Sequence, residues 1–384
     1  MKHLDEFRDP ILARRLVDEI RRTVSQQRVL MEVCGGQTHS LLRHGIAVEL
    51  EDIVELIHGP GCPVCVTPAE AIDFAQQLAL EPNVSVASFG DMLRVPGSSR
   101  SLLDARSQGG TVKIVYSPLD AVELAKSNPD QHIVFFAVGF ETTAPTTALA
   151  VLQAAGLGLE NFSLLVSHVR VLPAMDALMQ TPECRVEGFL AAGHVCTVTG
   201  FDEYENFVER YKTPVVVTGF EPLDLLDGIL DCVTQLETGR STVTNRYARS
   251  VQQGGNASAQ EIVHKVYEIA DTTWRGMGVI PQGGYRLRDE FSQFDATHRF
   301  HSLQQPKGTE AECPTFNAFD VWGSCPSGVC ASDECRSGEV LTGLIKPFEC
   351  DAFGTSCSPD SPLGAPMVSA EGACAAYFKY QRTV

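Results

Sequence analysis

Cysteines are the residues of this chain best suited to chemistry, and thirteen occur among its 384 residues. Cys62 and Cys65 belong to the stretch His58-Gly-Pro-Gly-Cys-Pro-Val-Cys-Val-Thr-Pro68. Two thiols at this spacing can close a disulfide or share a metal. A helix starting at Pro68, with Thr67 as its N-cap and Glu70 completing a capping box, is predicted to follow, and a helix N-terminus favours thiolates. The stretch therefore favours a loop that positions two reactive thiols. The alternative is a rigid turn with two inert thiols.

A lone cysteine opens a second candidate motif, Cys34-Gly-Gly-Gln-Thr-His39, which follows a predicted strand. Cys34 can be a nucleophile, a soft metal ligand or a packed thiol. His39 can be a second ligand or an acid–base group, although a lone histidine is more often structural. The interpretation of His39 therefore depends on that of Cys34.

Seven of the thirteen cysteines lie between Cys313 and Cys374. Four thiolates from a loop-rich segment suit a tetrahedral Zn²⁺ site or a [4Fe–4S] cluster. The candidates are Cys335, Cys350, Cys357 and Cys374. Their spacing matches neither zinc ribbons nor the ferredoxin run, so the sequence leaves the metal open. The other three, Cys313, Cys325 and Cys330, can be alternative ligands, a redox pair or thiols of a variable insertion, and we favour the insertion.

Alternating apolar runs and amphipathic stretches surround these motifs. Strands are predicted at Val29–Val33, Ile53–Ile57, Val84–Phe89, Val112–Tyr116, Ile133–Val138, Ser163–Ser167, Gly188–Ala191 and Val215–Thr218. Helices are predicted along the face Ile11 to Val24 and at 68–80, 118–127, 145–155, 173–180, 202–211 and 222–237. Such alternation predicts an α/β fold with parallel sheets and right-handed crossovers.

Polar residues follow these predicted strands. The set is Cys34, Cys62, Asp91, Glu141, His168, His194 and Glu221. In open α/β sheets ligands bind beyond the carboxyl ends of the strands. We therefore expect these side chains to converge on one crevice.

The remainder of the sequence limits the function class. A net charge of −18 argues against a nucleic-acid partner, and no apolar run reaches the length of a membrane span. Many cysteines without a secretory signal favour a reducing, cytoplasmic setting. After Gly239 a helix is expected around Ala259–Ala270, and from Trp274 onwards no strand–helix alternation is visible. This predicts a small domain held by something other than a hydrophobic core.

Five motifs together resemble the hydrogenase maturation protein family HypD. They are Cys34-Gly-Gly-Gln-Thr-His39, Gly59-Pro-Gly-Cys-Pro-Val-Cys65, Gly139-Phe-Glu-Thr-Thr-Ala-Pro145, Gly219-Phe-Glu-Pro-Leu-Asp224 and Met367-Val-Ser-Ala-Glu-Gly-Ala-Cys374. The resemblance implies a scaffold for assembling the Fe(CN)₂CO group of [NiFe]-hydrogenases, with redox activity but no stand-alone turnover. It also implies a complex with a small HypC-type chaperone and cyanide delivery by a HypE-type donor. Two parallel-sheet βαβ domains facing a cleft, 1–118 and 119–240, would precede a cysteine-rich iron–sulfur domain, 241–384.

The resemblance also implies roles for individual residues. Cys34 would hold the transient iron that carries the cyanide and CO ligands, with His39 beside it. Cys62 and Cys65 would form a redox-active pair between that iron and a [4Fe–4S] cluster, and Glu371 would shape the site or relay protons. The cluster ligands would be Cys335, Cys350, Cys357 and Cys374. Ser337 and Pro366 stand where the family often has cysteine, which narrows the ligand set to those four, although Cys330 can still exchange with one of them.

Two other functions compete with this interpretation. A general thiol–disulfide oxidoreductase would use Cys62 and Cys65 without iron, but would leave Cys34 and the C-terminal cysteines unexplained. A structural zinc protein that only binds partners would give Cys34 no role. We rank the assembly scaffold first.

Overall fold

The structure, a computed structural model, describes residues 5–304 and 334–380. Cys313, Cys325 and Cys330, with their predicted insertion, lie outside the described residues. The described strands are β1 (Arg28–Glu32), β2 (Val54–His58), β3 (Val84–Ser88), β4 (Val112–Ile114), β5 (His132–Gly139), β6 (Phe162–His168), β7 (Gly188–Ala192), β8 (Val215–Thr218), β9 (Val243–Asn245), β10 (Tyr267–Trp274) and β11 (Gly278–Leu287).

The helices fill the intervals between the strands. Up to residue 237 they are α1 (Pro10–Thr23), α2 (Gly35–Arg43), α3 (Ile46–Glu49), α4 (Pro63–Val66), α5 (Ala69–Leu80), α6 (Leu102–Ser107), α7 (Pro118–Ser127), α8 (Ala144–Gly156), α9 (Val171–Met179), α10 (Gly193–Thr199), α11 (Glu203–Tyr211) and α12 (Pro222–Glu237). They continue with α13 (Ala257–Val266), α14 (Ala296–Arg299), α15 (His301–Gln304), α16 (Ser337–Leu341), α17 (Ala365–Val368) and α18 (Ala373–Tyr380). Short 3₁₀ turns occupy Asp5–Phe7, Gly90–Arg94, Asp289–Phe294 and Pro347–Glu349.

Two parallel sheets organise the chain, so the predicted α/β class with two βαβ units is confirmed. Sheet A has the order β2-β1-β7-β8-β9, and sheet B has the order β4-β3-β5-β6. All eight predicted strands are present. Every residue of the central strand β5 after His132 is buried, because helices cover parallel sheets on both faces, whereas Ile114 of the edge strand β4 is exposed. In sheet A, Leu30 pairs with Leu56 on one side and with Gly188 on the other.

The strand pairing does not follow the predicted domain ranges. Sheet A combines β1 and β2 with β7, β8 and β9, whereas sheet B is built from β3 to β6. The chain therefore leaves sheet A after residue 58 and returns at residue 188. The boundary between residues 118 and 119 falls inside the sheet B unit, because sequence alternation shows strands but not which strands are neighbours.

The helix predicted around Ala259–Ala270 ends at Val266, and a strand follows it directly. β10 and β11 form an antiparallel hairpin with a register shift between Ala270 and Thr272. The stretch after Trp274, where the sequence showed no strand–helix alternation, therefore begins with a strand of this hairpin. Trp274 is buried and its Nε1 donates to the carbonyl of Gly283, 3.1 Å away, so this hairpin has an apolar anchor.

The C-terminal segment, residues 334–380, packs mainly through short helices. α18 packs against α2 of the sheet A unit, and α17 packs against α4. Small apolar clusters, including Ala376 with Leu42, bury the contact. Within the described part of the chain, no helix has the length and apolarity that a membrane span needs.

Candidate functional site

Cys34 occupies the N-cap position of α2, and only Val33 separates it from the end of β1. Its backbone N–H donates to Oε2 of Glu32, 2.8 Å away, and Glu32 is fully buried. The hydroxyl of Thr38, one turn into α2, donates to the other oxygen of the same carboxylate. A buried carboxylate thus fixes the turn that presents the Cys34 thiol.

A hydrogen-bonded chain extends from Glu32 to the C-terminal segment. Nδ1 of His58 lies 2.6 Å from Oε1 of Glu32, and Nε2 of the same ring lies 2.7 Å from the hydroxyl of Tyr377. Tyr377 belongs to α18, one turn after Cys374. Because all three side chains are buried, this network ties the end of β2 and the Cys34 turn to the cysteine-bearing helix.

The thiol of Cys34 faces a neutral imidazole. Sγ lies 3.8 Å from Nδ1 of His194, which follows β7 in sheet A. Burial, and next the carboxylate of Glu32, raise the pKa of Cys34 to about 12, while burial lowers the pKa of His194 to about 4. At neutral pH the pair is therefore a thiol beside an uncharged imidazole, and a bound cation must displace the thiol proton.

The second motif folds into a single helical turn, α4, with Cys62 as its N-cap. Cys62 and Cys65 are joined by a disulfide, with 5.2 Å between their Cα atoms. The next helix, α5, begins at Ala69 with Pro68 as N-cap, and no side chain caps it. The predicted capping by Thr67 and Glu70 was wrong, because the hydroxyl of Thr67 donates instead to the carbonyl of Pro63.

Glycines allow three backbone segments to meet at this site. A Cβ on Gly61 would lie 2.3 Å from the backbone nitrogen of Cys34, and one on Gly35 would lie 2.1 Å from the carbonyl oxygen of Glu371. The N–H of Gly35 donates to the carbonyl of Gly61 over 3.1 Å. The Cys34 turn therefore lies directly between the disulfide loop and the C-terminal turn.

The turn Ser369–Gly372 connects the disulfide to the C-terminal segment. The Ser369 hydroxyl lies 3.3 Å from Sγ of Cys62. Asp91, at the carboxyl edge of sheet B, accepts from the N–H of Ala370 at 2.9 Å, and Arg94 donates to the carbonyl of Val368. Both sheets thus hold the segment that touches the disulfide.

His39 lies near this turn, and Glu371 belongs to it. The ring of His39 packs edge-on against Tyr380 with 5.5 Å between ring centroids, and burial lowers its pKa. Its Nε2 is buried and makes no hydrogen bond within the described residues, and no hydrogen bond there joins it to Cys34. Burial and the carboxylate of Asp91 raise the pKa of Glu371, whose side chain keeps contact with solvent.

The four C-terminal cysteines line one pocket of about 340 Å³ including its open mouth. The lining cysteines are Cys335, Cys350, Cys357 and Cys374. Burial, together with the other three sulfurs, raises the pKa of Cys374 well above its usual value. The N–H of Leu363 points at Sγ of Cys357 from 3.4 Å, and Ala352 and Met367 complete an apolar wall.

These features fit an iron–sulfur cluster, whose irons take one thiolate each and whose sulfurs accept backbone hydrogen bonds. In residues 5–304 and 334–380 no three His, Cys, Asp or Glu side chains are gathered closely enough to hold a single metal ion. Cys357 is buried and the other three cysteines are half-buried, and the mutual repulsion of four such thiolates would be relieved by a cationic cluster. Ser337 and Pro366 also line the pocket, so the two positions that lack cysteine lie beside the four candidate ligands.

Comparison with known proteins identifies the family. A profile of the HypD family, described as the hydrogenase formation hypA family, matches residues 11–381. The chain belongs to the HypD family of hydrogenase maturation factors. It is 45% identical to the hydrogenase maturation factor HypD of Azotobacter vinelandii, over 100% of this chain and 97% of the relative. It is 43% identical to that of Rhodobacter capsulatus (99% and 98% covered) and 40% identical to that of Escherichia coli K12 (100% and 99% covered).

Sequence reasoning about this HypD family member missed Glu32, His58 and Tyr377. A signal was available for Glu32, since it is a charged residue inside an otherwise apolar buried strand. The polar residues that were expected to converge on one crevice lie in several separate places. Cys34, Cys62 and His194 meet at the edge of sheet A, and Asp91 reaches them through Ala370, whereas Glu141 lines a different cavity. His168 is buried against Thr147, with 2.8 Å between Nε2 and the hydroxyl oxygen, and Glu221 pairs with Arg8.

Proposed function

We propose that this protein is the scaffold on which iron receives its cyanide and CO ligands during [NiFe]-hydrogenase maturation. The iron is cargo, held between Cys34 and a HypC-type chaperone, and a HypE-type protein supplies cyanide. Four C-terminal cysteines hold a [4Fe–4S] cluster, and the Cys62–Cys65 pair serves redox steps. The main support for the proposal is a continuous series of contacts. It runs from Cys34 through Gly61, Cys62 and Ser369 to the cysteine-lined pocket.

Cys34 is suited to anchor the iron. A thiolate is a soft ligand, which suits iron that carries cyanide and CO. Iron binding displaces the Cys34 proton, and the neutral imidazole of His194, 3.8 Å from Sγ, is placed to accept it or to act as a second ligand. Glu32 holds the backbone of the turn, so the thiol keeps its direction while ligands are exchanged.

The disulfide is suited to an internal redox step. Its reduction breaks one S–S bond and consumes two electrons and two protons, leaving two thiols. Cys62 and Cys65 are 3% and 0% exposed, so a protein-sized thiol has no access to either sulfur. This burial disfavours the general thiol–disulfide oxidoreductase, whose pair must be attacked by a partner thiol.

The cysteine-lined pocket is the place for a cluster, which when bound supplies single electrons. Ser369 contacts Cys62 at one end of the Ser369–Gly372 turn, and Gly372 precedes the helix that carries Cys374. A Cβ on Gly372 would meet the carbonyl oxygen of Pro366 at 2.1 Å, which keeps this turn compact against the pocket wall. Only the Ser369–Gly372 turn thus separates the Cys62–Cys65 disulfide from the cysteine-lined pocket.

Metal analysis tests the cluster assignment directly. Protein purified without oxygen should contain about four irons and four acid-labile sulfides per chain and be brown. Zinc without labile sulfide in a colourless protein would refute the cluster and favour the structural zinc protein.

Substitution of Cys34 tests the iron anchor. Cys34→Ala should abolish hydrogenase maturation in a strain lacking its own copy of this factor, while the iron and sulfide of the C-terminal pocket stay unchanged. Cys184→Ala, at a half-buried free thiol outside the site, is the matched control. Normal maturation by Cys34→Ala would exclude the anchoring role.

A further inference from the structure

A second cavity lies where the carboxyl ends of β5 and β6 meet α10, α11 and α13. Its free volume is about 700 Å³ when the open space at its mouth is counted. It shares no lining residue with the cysteine-lined pocket, and Cys34, Cys62 and Cys65 are not part of it. The assembly function described above leaves this cavity, here called the Glu141 pocket, without a role.

Glu141 supplies a buried carboxyl group whose hydrogen bonding is incomplete. Oε1 accepts from the N–H of Val171 over 2.9 Å, whereas Oε2 accepts no hydrogen bond from any described group. Only 5% of the residue is exposed, and burial raises the pKa of this carboxyl to about 7. An unpaired buried polar atom lowers stability, so a ligand that hydrogen-bonds to it is favoured.

Arg170 faces the same pocket and presents hydrogen-bond donors. The guanidinium is nearly buried, and it donates to the carbonyl of Gln282 at 3.2 Å and to Glu203 at 3.1 Å. Arg170 is also hydrogen-bonded to the Tyr285 hydroxyl. A guanidinium has five N–H groups, so these three bonds leave capacity for a ligand oxygen.

Aliphatic side chains form one part of the remaining lining, and they are Leu172, Val195, Val198, Val263 and Ile269. Thr199, Tyr204, Gln260 and His264 add polar groups to it. The aliphatic part suits a ligand with a short apolar body, and Glu141 and Arg170 suit a polar head on that ligand. The head must offer donors to Glu141 and an acceptor to Arg170.

We propose that the Glu141 pocket binds a small neutral molecule with a primary amide head and a short aliphatic body. The planar amide donates through its NH₂ to Oε2 of Glu141 and accepts through its carbonyl from Arg170. A carboxylate head would meet the carboxyl groups of Glu141 and Glu203, and an ammonium head would meet the Arg170 guanidinium. The neutral head thus avoids a like charge on both sides.

A matched series of probes tests the proposal on the full-length protein. Butyramide, butyrate and n-butylammonium have the same chain and differ in the charge of the head. Titration by saturation-transfer NMR should show saturable millimolar binding of butyramide and at least tenfold weaker binding of the other two. Either charged probe binding as tightly as butyramide, or no saturable binding of butyramide, would overturn the proposal.

Substitutions locate the binding. Val198→Phe fills the pocket and should abolish butyramide binding, and Arg170→Leu should weaken it at least tenfold. Val279→Phe, at a residue 66% exposed on β11 outside the pocket, should leave it unchanged. Leu172→Phe serves if Val198→Phe does not fold, as judged by circular dichroism. Retained binding in a folded pocket-filling variant would place butyramide elsewhere and refute the site.

Discussion

The close approach of the Cys34 turn and the disulfide loop makes Gly61→Ala a demanding perturbation. The new Cβ would lie 2.3 Å from N and 2.4 Å from Cα of Cys34, and neither backbone atom can rotate away as a side chain would. Ordinary contact needs about 1 Å more, so the two loops must separate by roughly that distance. We expect this separation to break the hydrogen bond from the N–H of Gly35 to the carbonyl of Gly61.

The expected magnitudes follow from that displacement. One lost hydrogen bond and the overpacking together should lower the free energy of unfolding by about 2–4 kcal/mol. The disturbance is confined to loops at the edge of sheet A and does not reach its core. A 1 Å misplacement of reacting groups typically lowers a rate about 10²-fold. Gly61→Ala should therefore fold and keep its iron and sulfide, yet mature hydrogenase about a hundredfold more slowly.

The assay is hydrogenase activity in a strain that carries the variant as its only copy of this factor. Gly254→Ala is the matched control, because Gly254 is exposed and its new Cβ would meet no atom within 4 Å. Circular dichroism and iron content separate a misplaced loop from a misfolded protein. Maturation at the unmodified rate by a folded Gly61→Ala would refute the argument that contact between these loops matters.

Three further predictions concern the same region. Because the pKa of Cys34 is raised to about 12, little of it is thiolate at pH 8, and it should react with iodoacetamide roughly 10³-fold more slowly than an ordinary thiol. The rate of this reaction should still be rising at pH 10, and a plateau near pH 9 would contradict the raised pKa. Glu32→Leu removes the carboxylate that accepts from the Cys34 N–H and contacts His58, and it should lower the free energy of unfolding, measured in urea, by about 3–5 kcal/mol. Glu32→Gln should lower the same free energy by only about 1–2 kcal/mol, and equal losses would show that these hydrogen bonds contribute little. Cys357→Ala should lose most of the bound iron and labile sulfide, and Cys184→Ala should lose none; unchanged iron in Cys357→Ala would remove that thiol from the ligand set.

Local patterns were sufficient for the regular part of the fold. All eight predicted strands are present, because continuous apolar runs bounded by turns are typical of buried parallel strands. Helix starts at Pro118 and Pro222 follow from proline at the first helical position. The hairpin at 267–287 was missed, because its interior contains Gly283 and Gly284 and its first strand continues a helical stretch without a break.

Long-range pairing was beyond sequence reasoning. Nothing local to β2 or β7 indicates that β1 lies between them, since the choice depends on how the helices of residues 59–187 pack. The same limit applies to the site. The Cys34 and Cys62 motifs were recognised individually, but the contact of Cys34 with His194 and the chain from Glu32 to Tyr377 join residues that only the fold brings together.

The assembled site depends on both sheets and the C-terminal segment at once. Sheet A presents Cys34 and the disulfide loop, and sheet B holds the Ser369–Gly372 turn through Asp91 and Arg94. The hydrogen bond between His58 and Tyr377 joins the end of β2 to the helix that carries Cys374. Loss of order in the cysteine-lined pocket would therefore be transmitted to Glu32, and through it to the turn that presents Cys34. Filling of the pocket and orientation of the Cys34 thiol are thus physically coupled, and under the proposed function this coupling would let the protein hold iron productively only when a cluster occupies the pocket.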